Sequence, residues 1–191
     1  MDPCFRRDDK LKINMQFNIQ HFEEIPSTNT LALELASKQA EEGLVIVADY
    51  QTEGRGKPGR KWVSPRGKNL LFSLLLRPAV PPSRAPILTQ ITCRSVAKVL
   101  TEQYGISSTF KRPNDILVGG KKICGILVEA RSSASGTLDC VVIGIGLNVN
   151  ARPQELVPEA TSLKELTGKE ISRENLLHEI LNQLQEDLKT L

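Results

Sequence analysis

Long apolar runs are missing from this chain. The longest, LLFSLLL and CVVIGIGL, fall well short of the roughly 20 residues that a membrane-spanning helix needs. The opening stretch, MDPCFRRDDKLKIN, has no apolar segment of the kind that a signal peptide requires. Cysteine is sparse: Cys4, Cys93, Cys124 and Cys140 lie far apart, with no Cys-x-x-Cys pair and no histidine beside them. That pattern reads as structural thiols in a reduced protein, so the expected location is the cytoplasm. Aromatic residues make up only 4%, and Trp62 is the single tryptophan. A nucleic-acid groove would interleave aromatics with its cations, so this scarcity argues against one. Net charge is +3, too small to imply a polyanionic partner unless the cations are concentrated.

They are concentrated once. In QTEGRGKPGRKWVSPRGK, residues Arg55, Lys57, Arg60 and Lys61, followed by Arg66 and Lys68, face only Glu53 in opposition. Gly54, Gly56 and Gly59 give that segment the backbone freedom to bring its N–H groups against a ligand, and together these features describe an anion cradle. A solvated surface loop with many cations is the plainer alternative. The segment is not a Walker loop, because Gly-x-x-x-x-Gly-Lys-Ser/Thr is absent and no helix follows.

The 191 residues, 40% hydrophobic, suit one domain with a substantial core. Met1 to Asn14 read as a flexible leader and 15–191 as the folded unit. A strand is expected from Met15, then a helix over about Thr28 to Glu42 stopped by Gly43, then the buried strand LVIVADYQ. The strand NLLFSLLLRP follows the cationic loop, and a helix ends at Gly105. Strands with tight turns come next, Gly119-Gly120 making a two-residue hairpin turn, and two helices close the chain, the second capped at Ser172. Hairpins with helices laid on one face define an α+β fold with a mixed, largely antiparallel sheet. An exposed strand edge would permit a homodimer by sheet extension.

Three more stretches draw attention. KRPNDILV places Lys111, Asn114 and Asp115 at a strand–turn junction, with Pro113 forcing Arg112 to be extended. In GKKICGILVEA, one of Lys121 and Lys122 falls where an apolar residue is expected; a lysine stem lying along an apolar wall is the ordinary explanation. VVIGIGLNVN holds Gly144-x-Gly146 after a strand, but Val149 stands where a dinucleotide fingerprint needs its third glycine, so a Rossmann site is rejected.

Taken in order, STN (Ser27–Asn29), GRGKPGRKWVSPRG, KRPND, KKICGILVE and VVIGIGLNVN closely resemble the biotin protein ligases, over about Phe17 to Leu191. The resemblance implies a class II synthetase-like fold and an ATP-dependent reaction. Biotin's carboxylate attacks the α-phosphate of ATP, giving biotinyl-5′-adenylate and pyrophosphate, and a lysine of a biotin carboxyl carrier protein then takes the acyl group. Carried over by motif, Lys122, Arg55 and Asp115 are the expected catalytic residues. Ser27, Thr28, Asn29, Gln51, Gly54, Arg55, Gly56, Lys57, Lys122, Gly125 and Gly144 are expected at biotin. Arg60, Lys111, Asn114 and Asn148 fall on the nucleotide side, and Asp115 is placed in a Mg2+ shell. For Ser27, Thr28 and Asn29, helix capping is the alternative role.

Two departures stand out: Arg112 replaces the family's usual tryptophan, and the family's small C-terminal β domain has no counterpart before Leu191. No helix-turn-helix precedes the motifs, so the expected form does not bind DNA. Lipoate ligases and octanoyl transferases are rivals on the same fold, although the transferases need a nucleophilic cysteine in a basic setting. A biotin-binding module without turnover is the other rival.

Overall fold

The computed structural model describes residues 15–78, 80–132 and 136–189; the expected leader, Met1 to Asn14, lies outside the described residues. Seven strands form one sheet: β1 (Asn18–Ile25), β2 (Leu44–Gln51), β3 (Leu70–Leu76), β4 (Thr109–Lys111), β5 (Asp115–Val118), β6 (Lys121–Ser132) and β7 (Leu138–Leu147). Four α-helices accompany them: α1 (Thr28–Ser37), α2 (Ala85–Tyr104), α3 (Leu163–Thr167) and α4 (Arg173–Leu188). The strand order is β1-β2-β3-β7-β6-β5-β4, with β1 and β2 parallel and every other pairing antiparallel. The mixed, largely antiparallel α+β sheet is therefore as expected.

The helices divide between the two faces, which refines the expectation of one covered face. Alternate residues Val45 and Val47 of β2, with Leu70, Phe72 and Leu74 of β3, join a large core under α2 and α4. Their neighbours Leu44, Ile46 and Leu75 join Ala32 and Ala36 of α1, with Cys140 and Val142 of β7, in a smaller core on the opposite face. Period-two alternation makes this division automatic in a strand that is buried on both sides. All seven residues of β3 are buried, so nothing in its hydropathy distinguishes the faces.

α1 stops at Ser37, five residues before the expected Glu42. The chain turns left-handed at Gln39, φ 65°, where Gln39 N donates to Ala36 O at 3.1 Å and Ala40 N to Leu35 O at 3.0 Å, and Arg77, just past β3, braces this turn. Its guanidinium donates from Nη2 to the carbonyls of Ala36 at 2.9 Å and Ala40 at 3.0 Å, and from Nε to Ala40 at 3.1 Å. A distant arginine thus adds donors to carbonyls at and just beyond the helix end. The helix α2 does end at Gly105, in a left-handed conformation at φ 66°, and Gly119 and Gly120 turn the β5–β6 hairpin with φ 57° and 81°.

Arg173 is the first residue of α4, where a cation opposes the helix dipole. It is held there by Asp49 of β2, whose Oδ1 lies 2.7 Å from Arg173 Nη1 and 3.3 Å from His21 Nε2 of β1. Burial pushes the Asp49 carboxyl up, but the hydrogen bond and charge of Arg173, with His21 contributing less, outweigh it and hold the group below its usual 3.8. A depressed carboxylate stabilises the fold above its unfolded pKa and ceases to do so as pH falls through the folded value. Arg173→Gln is therefore expected to cost about 1 kcal/mol in urea unfolding at neutral pH. The deficit should shrink towards zero as pH falls through the lowered Asp49 value; a difference independent of pH would remove Asp49 as its cause.

Candidate active site

The site begins with side chains that are not there. Gly144 and Gly146 are two apart on β7 and so share a face, which alternation from Cys140 and Val142 makes the α1 face. Gly125 of β6 pairs with Gly146, and Ser73 of β3 pairs with Gly144. A strip of low relief therefore runs across three central strands. Other groups descend onto it: a Cβ on Gly144 would lie 2.0 Å from Asn29 Oδ1, and one on Gly146 would lie 2.6 Å from Trp62 Cε2. At Gly125 the added atom would meet Trp62 Cζ3 at 2.9 Å and Lys122 Nζ at 3.0 Å. The cavity lies between these groups.

One end is built by the start of α1. Ser27 is its N-cap and accepts from the Thr30 N–H at 3.5 Å, while Ser27, Thr28 and Asn29 are all buried and line the cavity, so capping and lining coincide. Gln51 Oε1 accepts from Thr28 N at 2.7 Å and from Thr28 Oγ1 at 3.0 Å. Ser73 Oγ lies 2.8 Å from Thr28 Oγ1 and 2.6 Å from Asn29 Oδ1, its single proton serving one of them. Asn29 Nδ2 donates to the Leu127 carbonyl at 3.2 Å and to Glu129 Oε2 at 2.9 Å. These bonds fix the polar wall before any ligand arrives.

The cationic segment forms the opposite wall as a small hairpin. Arg55 and Lys61 make an isolated antiparallel bridge, Gly56 N donates to Arg60 O at 3.1 Å, and Arg60 N donates to Lys57 O at 2.8 Å. Gly54 closes its base: Trp62 N donates to Gly54 O at 2.9 Å, and a Cβ on Gly54 would sit 2.2 Å from Trp62 O. Arg55, Gly56, Lys57, Arg60 and Lys61 all line the cavity, whereas Gly54 acts only through that pinch. Arg55 Nη2 pairs with Glu129 Oε1 at 2.7 Å.

Lys122 stands at the floor, its ammonium 2.7 Å from Asp115 Oδ1 and 5.3 Å from the centre of the Trp62 ring. Its backbone is clamped from outside the sheet: Lys122 N donates to Glu159 O at 2.7 Å, and Thr161 N donates to Lys122 O at 2.9 Å. Nearby, Asn114 Nδ2 donates to Ile126 O at 2.6 Å. That bond leaves Asn114 Oδ1 buried without a partner, and Trp62 Nε1 is a buried donor in the same condition. Such atoms cost about 1–3 kcal/mol each when unsatisfied and mark where a polar ligand would bond.

Two of the residues expected on the nucleotide side do not line this cavity. Asn148 is buried, its Oδ1 accepting from Asn69 Nδ2 at 3.1 Å, and it does not line the cavity. Lys111 is exposed beside Arg112 in a neighbouring groove, which meets the cavity at Asn114 and Asp115. Arg60 and Asn114 do line it. Asp115, where Mg2+ is expected, lines the cavity with its Oδ1 2.7 Å from Lys122 Nζ, a single carboxylate of the kind that holds Mg2+ together with substrate phosphates. Of the described cysteines, none lines the cavity. Burial pushes the Cys93 thiol to about 11 and the Cys124 thiol higher, so neither is a ready nucleophile.

Sequence reasoning placed Lys61 in the cationic cradle but gave no site role to Trp62, Gly146, Ser73 or Glu129. Gly146 was implied by sharing the face of Gly144, and Ser73 is the lone hydroxyl in LLFSLLL. Trp62 follows the cationic loop directly, but nothing local shows that its ring folds back onto β6 and β7.

These features meet a known group. The Biotin/lipoate A/B protein ligase family matches residues 21–148. The chain belongs to that family, as a biotin protein ligase catalytic domain. It is similar to the biotin protein ligase of Aquifex aeolicus, solved with biotin and ATP, with TM-score 0.76 and 36% identity over 91% of this chain and 71% of that one. Among curated proteins, it is 40% identical to the bifunctional ligase/repressor BirA of Bacillus subtilis, over 90% of this chain and 54% of that protein. It is 31% identical to the biotin–[acetyl-CoA-carboxylase] ligase of Mycobacterium tuberculosis, over 83% and 59% respectively. The chain thus spans little more than half the length of these two relatives.

If Trp62 rests on the glycine strip, Gly146→Ala must lift the indole, because a methyl group cannot occupy a position 2.6 Å from Cε2. Trp62 is the only tryptophan, so fluorescence excited selectively at tryptophan reports on it alone. The expected result is a red-shifted emission maximum and stronger acrylamide quenching. Wild-type emission in a folded Gly146→Ala protein would contradict the contact.

Proposed function

We propose that this domain activates biotin with ATP to biotinyl-5′-AMP and transfers the biotinyl group to a lysine of a biotin carboxyl carrier protein. The observation that carries this reading is the placement of Lys122, an ammonium held by Asp115 on a floor of glycines and faced by a hairpin bearing Arg55, Lys57 and Arg60. Both reactants of the first step are anions and repel one another unless cations stand between them. The strip at Gly125, Gly144 and Gly146 offers a slot for the apolar part of biotin. Gln51, Thr28 and Asn29, at the far end, offer hydrogen bonds to its ureido ring.

In the first step a carboxylate oxygen bonds to the α-phosphorus and the bond to pyrophosphate breaks. Lys122 and the hairpin cations stabilise the charge that gathers on the phosphoryl oxygens and the leaving group. In the second, the acceptor amine attacks the acyl carbon, AMP leaves, and the amine gives up a proton. Asp115 is the carboxylate placed to receive that proton, once Lys122 has turned towards the ligand. Closure of the hairpin over the mixed anhydride keeps water away between the steps. The absence of a described cysteine from the cavity favours this chemistry over thioester transfer of an octanoyl group.

The test is exchange of labelled pyrophosphate into ATP, dependent on biotin and absent with lipoate. Lys122→Ala is expected to lower the exchange rate by about 10²–10³, the usual loss when one charge-stabilising group is removed. Its fold should be intact, since the side chain is about one-third exposed, at 34%. Arg55→Ala is expected to weaken biotin binding in calorimetry and release adenylate into solution. Full exchange in Lys122→Ala would refute the assignment, and biotin binding without exchange in the wild type would mark a binding module instead.

A further inference from the structure

Glu129 is out of place on charge grounds. It stands beside a cavity whose hairpin wall carries Arg55, Lys57, Arg60 and Lys61, and a carboxylate there lowers the potential that would attract an anion. Both of its oxygens are engaged, and the partners differ. Oε1 lies 2.7 Å from Arg55 Nη2 on the hairpin, while Oε2 accepts from Asn29 Nδ2 on α1 at 2.9 Å. Among the described residues, this is the one side-chain hydrogen bond that ties residues 55–61 to the sheet. The Glu129 side chain is 23% exposed, against 42% for Arg55, so the anchor is the better-buried member of the pair.

We infer that Glu129 is a positioning residue, a latch that holds the cationic hairpin over the cavity and sets it in register with the amide of Asn29. Its side chain does not itself line the cavity. One edge of the Arg55 guanidinium is taken by Glu129, which leaves other N–H groups of the fork free to face a carboxylate or phosphate. The second oxygen orients Asn29: with Nδ2 drawn to Glu129 and to the Leu127 carbonyl, Oδ1 is directed at Ser73 and down onto Gly144. The wall offered to biotin's ring and the hairpin offered to its carboxylate therefore share one carboxylate as their common support. This inference rests on reading the cavity as the biotin site, but its first test does not.

Limited trypsin digestion of the unliganded, full-length protein reads the latch directly, because the hairpin itself contains Arg55, Arg60 and Lys61 as cleavage points. Fragments would be assigned by mass spectrometry, and cuts within 55–61 normalised to cuts elsewhere. Glu129→Ala should raise hairpin cleavage relative to the rest of the chain by about threefold to fivefold, the factor that a partly buried ion pair supplies. Glu129→Gln has the same shape, yet it must turn an NH2 group towards either Arg55 or Asn29, both donors, and should behave similarly. Adding Glu129→Ala to Arg55→Ala should cause no further rise, since the two changes break the same bond. High salt should speed cleavage in the wild type and leave Glu129→Ala unaffected.

Unchanged hairpin cleavage in a folded Glu129→Ala protein would overturn the latch, as would a rise spread evenly over the chain or full additivity with Arg55→Ala. Under the proposed function, Glu129→Gln should also raise the KM for biotin about threefold to fivefold while kcat in pyrophosphate exchange changes little. A fall in kcat alone would likewise count against it. Failure of exchange in the wild-type protein, with the digestion result as expected, would leave the latch standing and remove the biotin reading.

Discussion

A sheet buried on both faces has no room for a ligand unless some of its side chains are missing. That constraint governs this protein. β3 and β7 are covered by α2 and α4 on one side and by α1 on the other, and interiors of this kind are packed as densely as molecular crystals. The opening exists because register aligns Gly125, Gly144 and Gly146 on the α1 face, and because α1 reaches the strip only with its first turn. Ser27, which caps the helix, and the first two helical residues, Thr28 and Asn29, thereby become one end of the cavity. Any one-residue slip between β6 and β7 would turn the glycines into the large core and aim Ile143 and Ile145 at the ligand.

Charge is distributed with similar economy. Two acids at or beside the cavity are each bound to a cation, Asp115 to Lys122 and Glu129 to Arg55. Such pairs do not neutralise the site; they hold flexible side chains in place, which lowers the ordering entropy left for the ligand to overcome. Lys57, Arg60 and Lys61 have no acidic partner among the described residues, and they are tolerated because they sit at a solvent-facing rim. The deeper cation is the paired one, as the cost of burying charge requires.

Much of this was legible in the sequence, for local reasons. The α+β class followed from hairpin spacing and helical periodicity, and the cap at Ser27, the stop at Gly105 and the Gly119-Gly120 turn are properties of short segments. An ammonium interrupting an apolar strand pointed to Lys121 or Lys122, and only the motif match chose Lys122. What escaped were consequences of contacts between remote segments. The end of α1 is braced by Arg77, some 40 residues later in the chain, at a sequence separation of 41 from Ala36. The burial of Asn148 depends on Asn69, and the roles of Glu129 and Trp62 depend on a hairpin folding back across β6. A motif reports that a residue is near the chemistry, but the hydrogen bonds that commit its atoms elsewhere become visible only when the partner strand is in place.

The two orphaned polar atoms sharpen the division of labour within the cavity. Asn114 must turn Nδ2 towards the Ile126 carbonyl, so the atom it leaves over is an acceptor. A carboxylate or a phosphate cannot satisfy it, because neither carries a hydrogen; a hydroxyl, an amine or a water can. Trp62 Nε1 has the opposite requirement and suits an anionic oxygen. Between them stands Lys122, with Asp115 beside it. On the proposed chemistry, the anionic centre therefore belongs on the Trp62 and Lys122 side, and a proton-bearing group, a ribose hydroxyl or the incoming amine, on the Asn114 side. The acceptor's approach is then open from the groove of Lys111 and Arg112, which joins the cavity at Asn114 and Asp115. An amine arriving there meets a hydrogen-bond acceptor and a carboxylate before it reaches the acyl carbon, the order in which a protonated lysine has to be bound and then deprotonated.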